Sequence, residues 1–573
     1  MNRRRFLEQC GLSAAACWYP AMMAAAQSGA AATGRLRSLT ADVLVVGGGL
    51  GGCAAALAAT RLGARVVMTE PTDWIGGQLT QQAVPPDEHR WIESFGSPTS
   101  YRRFRKGVRD HYRRHYALTP EAKARPNLNP GDGSVSRLCH EPRVALAVLD
   151  AMLAPAIEKG LLTVLLDTEP VGADVDGDRV RAVRVVGGGG RQETVVEAKY
   201  FIDASETGDL LPLTGTEYVT GAESKKDTGE PNASDEARPA NMQSFTWCYA
   251  IDYLPDQDHT IDKPAMYDFW QQHEPQLVPP WPGRLLSLWY TRPSSGKPLE
   301  LSFVPLSPQM PTYRTKTLNL WLYRRIINHA NFRQGTFPGD ITIVNWPQND
   351  YMLGNLFEVS PEERAKHLDG ARQLSLSLLY WLQTEAPRPD GQTGWKGLRL
   401  RKDVVGTEDG LAKFPYIRES RRIKAECTVL EQHIRPASPR RIGKQALSDA
   451  FDDSVGVGYY GLDLHPSSGG DNYFDVHCLP YQVPLGALIP QRVENLIAGC
   501  KNIGTTHLTN GAYRLHPTEW GIGEAAGALA AFCHGRGHSP RGVRNQIQLL
   551  RQFQDLLTDT GVELDWTKFA EAG

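Results

Sequence analysis

The chain has 573 residues, enough for two or three domains with well-buried cores. Its 62 basic and 64 acidic side chains leave a formal charge of −2, which points away from a nucleic-acid or membrane-surface partner. No internal repeat is present, and the one low-complexity piece, Gly187 to Gly190, reads as a hairpin loop.

Residues 1–33 read as an export signal rather than as part of the fold. Arg3-Arg4-Arg5-Phe6-Leu7 resembles the twin-arginine motif, although Asn2 and Glu8 depart from its usual flanking residues. An apolar, alanine-rich run from Gly11 to Ala26 follows, and Ala24 to Ala26 offer small residues for cleavage. The run is too short and too weakly apolar for a stable membrane span. A chain exported folded by this route takes up its cofactor first, meets the export machinery, loses the signal and works in the periplasm. Seven cysteines then remain, scattered and without any C-x-x-C, so no cluster, haem attachment or disulfide framework is indicated.

The next stretch organises the chain. Asp42 to Val46 is apolar, β-branched and runs straight into glycines, as a buried parallel strand does. Gly47-x-Gly49-x-x-Gly52 follows: Gly47 for a tight turn, Gly49 for close approach of a pyrophosphate, Gly52 for close packing of an alanine-rich helix on the strand. A second strand, Arg65 to Thr69, ends on Glu70, whose carboxylate can accept hydrogen bonds from a ribose. Strand, glycine turn, helix, strand and acid together predict a bound dinucleotide with a free ribose, which disfavours NADP. FAD and NAD are not separated by this stretch.

Regular structure lapses after Gly76-Gly77. Tyr101 to Tyr116 is a basic, aromatic run read as a solvated amphipathic helix, and Glu141 to Glu158 has helical spacing of apolar residues. Leu161–Leu166, Gly172–Asp176, Val180–Val186 and Thr194–Ile202 read as a small meander with Asp176-Gly177 as a hairpin turn. The last of these runs into Asp203-Ala204-Ser205 and Gly208-Asp209, a return to the nucleotide-binding sheet. Residues 216–485 form an insertion rich in Trp, Tyr, Pro and Arg, with strands at Gln243–Ile251 and Thr342–Trp346 and helices at Glu362–Gln383 and Ile417–His433. The nucleotide-binding pattern then resumes with a strand at Asn495–Gly499 and a Gly/Ala-rich helix at Thr518–Phe532.

These pieces resemble the large FAD-dependent oxidoreductase family that joins a glutathione-reductase-type FAD domain to a long inserted domain, many of whose members are labelled xanthan-lyase-like. The resemblance is carried by Gly47 to Gly52 with Glu70, Gly76-Gly77, Ile202 to Ser205 with Gly208-Asp209, Asn345-Trp346-Pro347, Ile417 to Arg422, Asp453 to Gly456, Leu462 to Pro466, Tyr481 to Pro484, and Asn495 to Gly499 with Arg514, Pro517 and Gly523 to Gly527. It implies an α/β fold: a discontinuous Rossmann-like FAD-binding domain over 40–215 and 486–540, a mixed α+β substrate or cap domain over 216–485, and a helical segment over 541–573. It also implies FAD as cofactor, held by Gly47, Gly49, Gly52, Glu70, Gly77, Asp203, Gly208, Asp209, Gly523 and Gly527. One departure is His516, where the family pattern leads one to expect a small or hydrophobic residue before the proline.

A flavin performs the redox step, so the protein must orient a C–H bond and manage a proton. His507, Arg514 and His516, in the loop between the last strand and last helix, are the candidate catalytic residues. Gln243, Asn345, Trp346, Arg418, Arg422 and His465 are candidate substrate residues. Arg418, Glu419, Arg421 and Arg422, read as one face of a helix, bind a carboxylate or form a buried ion-pair network between domains. No metal site is indicated. The expectation is an exported dehydrogenase or oxidase that removes a hydride from a hydroxyl- or amine-bearing carbon of a small polar, possibly sugar-like substrate. Its alternatives are a reductase of an activated double bond and an exported FAD-containing accessory protein. Electrons leave to oxygen, a quinone or a separate redox protein, and neither the acceptor nor the oligomeric state can be read from the chain.

Overall fold

A computed structural model describes residues 37–190, 192–306 and 317–570. The export signal read in residues 1–33 lies outside the described residues. Four elements build the first βαβ unit and the hairpin strand that flanks it: β1 (Arg37–Thr40), β2 (Val43–Val46), α1 (Leu50–Arg61) and β3 (Val66–Thr69). Every residue of β2 and β3 is buried, as expected of strands covered on both faces. Two helices follow, α2 (Thr99–His115) and α3 (Pro142–Glu158), the second opened by a proline at its first turn.

The region read as one meander divides between two sheets. β4 (Leu162–Leu165) pairs in parallel with β3, whereas β5 (Thr168–Asp176), β6 (Arg179–Gly187) and β7 (Gln192–Glu197) form antiparallel hairpins with β1 on the outer edge. Thr194 to Ile202 is not one strand. The chain leaves the hairpin sheet after Glu197 and starts β8 (Tyr200–Asp203), which pairs with β2. The exposure pattern explains the split: β5 alternates buried and exposed positions, while β8 is buried throughout.

The insertion is built around a four-stranded antiparallel sheet in which β9 (Tyr249–Tyr253) lies between β11 (Ile341–Val344) and β12 (Leu398–Leu400), with β10 (Arg325–Ile327) on the far edge of β11. Its long helix α4 (Pro361–Thr384) starts as its sequence dictates: the Ser360 hydroxyl accepts the Glu363 N–H, Pro361 occupies the first turn, and Glu362 and Glu363 face the positive end of the helix dipole. The expected helix at Ile417–His433 is absent. Residues 417–421 have no regular structure, Arg422–Ile423 is a two-residue strand and Glu431–Ile434 a single turn. Arg418, Glu419 and Arg422 are each 1% exposed or less; besides the Arg422–Glu419 pair within the segment, Asp350, Glu223 and His507 from three other segments neutralise them.

β13 (Ser454–Gly458) pairs with β16 (Tyr481–Pro484), and the hairpin β14 (Leu462–Leu464) and β15 (Phe474–Val476) lies between them in sequence. β17 (Leu496–Ala498) then joins β8, which completes a parallel sheet in the order β17, β8, β2, β3, β4. The segment read as a loop around His507 is a short helix, α5 (His507–Tyr513), capped by the Thr506 hydroxyl on the Thr509 N–H. It leads to α6 (His516–Arg536), buried along most of its length, and then to α7 (Ile547–Asp559). α6 lies directly on α1: a β-carbon at Gly523 would fall 2.0 Å from the Gly51 carbonyl oxygen, and one at Gly527 would fall 2.1 Å from that of Ala55. Among the described residues no helix is long and apolar enough to cross a membrane.

Candidate active site

The first part of the site lies where β2 runs into α1. Gly47 takes a positive φ of 98° and packs so closely that a β-carbon would sit 2.3 Å from the Ala204 carbonyl oxygen. α1 begins with Gly49 at its cap and has neither a side-chain cap nor an acidic residue in its first turn. Its leading N–H groups and dipole are therefore left for an external anion. A β-carbon on Gly77 would come within 2.9 Å of the Leu50 nitrogen, so a side chain there would cover that end of the helix. Gly76 donates its N–H to the Gly48 carbonyl at 2.8 Å and ties the turn after β3 to the first glycine turn.

Glu70 ends β3 and is 1% exposed. One carboxylate oxygen accepts the Thr72 N–H and hydroxyl at 2.9 and 2.8 Å and the Gln81 amide at 2.9 Å. Burial nonetheless pushes the carboxyl up to about 8. Asp203, Gly208 and Asp209 build the turn after β8. Asp203 accepts the Ser205 N–H and hydroxyl and the Leu210 N–H, and Asp209 accepts the Thr207 hydroxyl at 2.6 Å. The side chain of this turn that reaches the glycines is Glu206, which the sequence reading passed over; its Oε1 would lie 2.9 Å from a β-carbon on Gly49. Lys501, fully buried, pairs with Glu206 and lies 3.9 Å from Glu519. Gly523 and Gly527 are accounted for by packing of α6 on α1.

Between this turn and the start of α6 runs a series of buried polar atoms without protein partners: both ends of the Gln82 amide, Gln78 Oε1, Glu519 Oε1 and His516 Nε2. Buried polar atoms are normally paired, so their concentration here fits a polar, extended ligand. The residues present fit FAD: the bare helix start for its pyrophosphate, Glu70 for its ribose and the orphaned groups near α6 for its polar ring edge.

The candidate substrate residues come together, with one exception, and one candidate catalytic residue lies away from them. Asp350, fully buried, accepts Arg418 at 2.9 Å, His465 Nδ1 at 2.6 Å, and the hydroxyls of Tyr473 and Thr246 at 2.5 Å each. Burial alone would raise its carboxyl, but Arg418 and His465 hold it well below the usual range. Asn345 accepts a second Arg418 N–H at 3.2 Å. Gln243 accepts the His465 N–H at 3.3 Å and donates its own backbone N–H to Glu419 at 3.1 Å. Glu419 in turn meets Arg422 and His507, and Arg422 also donates to Glu223 at 2.8 Å. Trp346 stands apart as a core residue, 5.5 Å from the Phe303 ring. His516 stands apart as well, on the cofactor side.

The three histidines differ sharply. Burial works against a charge on His507, but the Glu419 carboxylate at 2.9 Å prevails and holds its pKa above the ordinary value. Burial and the Arg324 charge push His516 down to about 3, and its Nδ1 accepts the Asp87 N–H at 3.1 Å. Nε2 of His516 therefore carries the proton and can only donate. His465 is lowered by burial and by Arg418 despite the Asp350 carboxylate, so it is neutral at pH 7, with its Nδ1–H held by Asp350. It lines a cavity of about 300 Å³ together with His507, Tyr473, Glu223, Glu230 and Arg238, whose rim is marked by the 77% exposed Val278.

Arg514 lies one step further in. It donates to the Tyr416 hydroxyl at 2.7 Å and to the Asp463 carbonyl at 2.9 Å, with the Asp463 carboxylate at 3.4 Å; the same carboxylate is 3.8 Å from His465 Nε2. Tyr323 and Tyr460 are both half-buried, and the Tyr323 ring lies 5.0 Å from the Arg324 guanidinium. Asp87 and Arg324 belong to the same group. Tyr460 stands in the aromatic stretch before His465 that the sequence offers as ligand-binding, whereas Asp87, Tyr323 and Arg324 had no sequence signal, since only the tertiary fold gathers them.

A family profile described as FAD dependent oxidoreductase matches residues 42–557. No curated protein matches the chain. Solved structures that align with it include L-proline dehydrogenase from P. horikoshii, at 17% identity over 34% of this chain and 26% of that one, with a TM-score of 0.16. The myxobacterial FAD-dependent halogenase CndH aligns at 17% identity over 39% and 45%, with a TM-score of 0.20. The flavin-dependent monooxygenase PieE, solved with FAD and substrate, aligns at 15% identity over 38% and 35%, with a TM-score of 0.23. The chain thus spans less than half the length of each of these three structures. With the profile covering nearly the whole described chain, and a glycine turn, ribose acid and bare helix start in place to receive its cofactor, the protein belongs to the FAD-dependent oxidoreductase family.

Proposed function

We propose that this FAD-dependent enzyme oxidises a small polar substrate at a carbon bearing a hydroxyl or amine, and that His465 takes the proton. FAD, when bound, supplies a two-electron acceptor for the hydride from that carbon. The proton of the hydroxyl or amine goes to His465 Nε2, and the product leaves as a carbonyl or imine. The observation that carries this reading is the pairing of His465 with Asp350 beside a cavity: the carboxylate fixes the tautomer and stabilises the imidazolium that forms, while the free Nε2 stays basic at neutral pH. His507, paired with Glu419, and His516, which presents an N–H, are less suited to accept a proton. Reduction of an activated double bond with Arg418 and Arg422 holding a carboxylate is disfavoured, because Asp350, Glu419 and Glu223 already engage both guanidinium groups. Export by the twin-arginine route belongs to the same reading and rests on Arg3 to Arg5 and the apolar run after them. It is checked by the loss of periplasmic protein when Arg3→Lys and Arg4→Lys are combined.

The test is anaerobic mixing of the FAD-loaded enzyme with hydroxylated and aminated compounds while the flavin absorbance is followed. One class bleaches the flavin, and His465→Ala slows that bleaching by about 10²–10⁴-fold with FAD content unchanged. Unaltered bleaching in His465→Ala would remove the base from this assignment. A flavin that only external reductants bleach would remove the oxidative direction.

A further inference from the structure

The strongest unexplained group in the molecule is Arg324. It is 7% exposed, a burial at which arginine is normally matched by carboxylates or several good acceptors. Its contacts are poor. Nη1 reaches the Pro85 carbonyl at 3.5 Å, Nη2 stands 3.6 Å from the Asp87 carboxylate, and Nε has no partner. Arg325, its neighbour in sequence, shows what a satisfied guanidinium looks like in this fold, with the Gly131 carbonyl and the Asp340 carboxylate both at 2.7 Å. In place of a close acceptor, the Arg324 guanidinium lies over the half-buried Tyr323 ring at 5.0 Å. Nε of Arg514, from the other side of the same group of residues, is also without a partner.

The unsatisfied donors point to Arg324 as a substrate-binding residue that, with Arg514 Nε, holds a carboxylate, so that the substrate is a hydroxy- or amino-carboxylate. This rests on the oxidative reading above and narrows it. A planar guanidinium with free, fork-arranged donors matches a carboxylate in two parallel hydrogen bonds, and a dry site strengthens them. Burial raises the pKa of Asp87, which weakens the one protein counter-charge at hand and leaves Arg324 the more available. Asp463 is 3.4 Å from Arg514 and 3.8 Å from His465 Nε2, so Arg514 and the proposed base share one neighbour. The orphaned Arg324 donors could also serve an oxygen of the cofactor ring, and the test separates the two.

The experiment measures binding to the oxidised, FAD-loaded enzyme through perturbation of the flavin spectrum. The probes are lactate, mandelate, gluconate, alanine and phenylalanine, each beside the matching amide or alcohol without the carboxylate. At least one carboxylate binds saturably and its neutral partner binds about 100-fold more weakly or not at all. Arg324→Met weakens the carboxylate by a similar factor without changing FAD content, and Arg324→Lys loses less. If Arg324→Met fails to fold, Arg324→Lys must still show a selective loss of at least several-fold. Loss of FAD with unchanged carboxylate preference would reassign Arg324 to the cofactor and overturn the proposal. So would neutral probes binding as well as carboxylates, or no probe binding at all. Carboxylate binding that depends on Arg324, without bleaching in the wild type, would leave the clamp standing and sink the oxidative reading instead.

Discussion

Four buried arginines belong to this region, and the fold satisfies them unequally. Arg418 and Arg422 are locked: each meets a buried carboxylate, and backbone carbonyls and hydroxyls take most of their remaining N–H groups. Arg324 is also buried but under-used, with its terminal nitrogens 3.5 and 3.6 Å from their acceptors, while Arg514 keeps short bonds to Tyr416 and the Asp463 carbonyl; Nε is unpartnered in both, as it is in Arg418. Composition does not distinguish them, and neither does burial. What sets Arg324 apart is that the fold supplies no acceptor at full bonding distance for its terminal nitrogens, which makes Arg418 and Arg422 architecture and Arg324 a place for something to bind.

The sharpest way to break this contrast is to remove one arginine of each kind. Arg418→Met should destabilise the protein by roughly 3–5 kcal/mol in denaturant unfolding, because Asp350 would stay buried with its main counter-charge gone. Arg324→Met should stay within about 1 kcal/mol of the wild type without ligand, since little native bonding is lost. Equal costs at the two positions would erase the distinction.

pH sharpens it further. The Asp350 carboxyl is depressed in the folded state, so its contribution is complete above the unfolded value of about 4 and is lost as pH falls below it. Asp350→Asn should flatten that acid limb, whereas Asp87→Asn, at a carboxyl whose pKa is raised by burial, should not. Glu70 behaves with the opposite sign. Its folded value near 8 lies above the unfolded value of about 4.3, so the folded protein without cofactor takes up a proton between them and loses stability as pH rises through that window. Glu70→Gln should remove that slope, a change read from unfolding midpoints between pH 5 and 8. At the small end, Arg181→Ala deletes an exposed pair with Asp176, whose side chains are 54% and 71% exposed, and should shift stability by no more than about 0.5 kcal/mol.

The parts that were legible in the chain are those fixed by neighbours in sequence. β2, the glycine turn, α1, β3 and Glu70 depend on a run of apolar residues followed by glycines at set spacing, and α4 carries its own cap. The hairpin at Asp176-Gly177 follows from Gly177 at a φ of 58°. The errors occur where distant partners decide. Arg418 to Arg422 has the composition of a helical face, but acids at 223 and 350, together with Glu419, pull the segment into an irregular path. Thr506 caps a helix around His507 that was read as loop because glycines and polar residues surround it. Arg324, Asp87, Lys501 and Glu206 carried no signal, as a lone charged residue acquires meaning only from what the fold places beside it.

The contact of Gly523 with Gly51 also says when the cofactor can be acquired. The two helices that pack there are separated by about 470 residues of chain, and β17, which completes the sheet, comes almost as late. While the ribosome is still making the insertion, the first βαβ unit has no α6 to cover its helix, and β8 beside it has no β17 on its outer edge. Flavin capture is thus an event of the nearly finished polypeptide, and a chain truncated before residue 523 should emerge colourless however well its glycine turn is made.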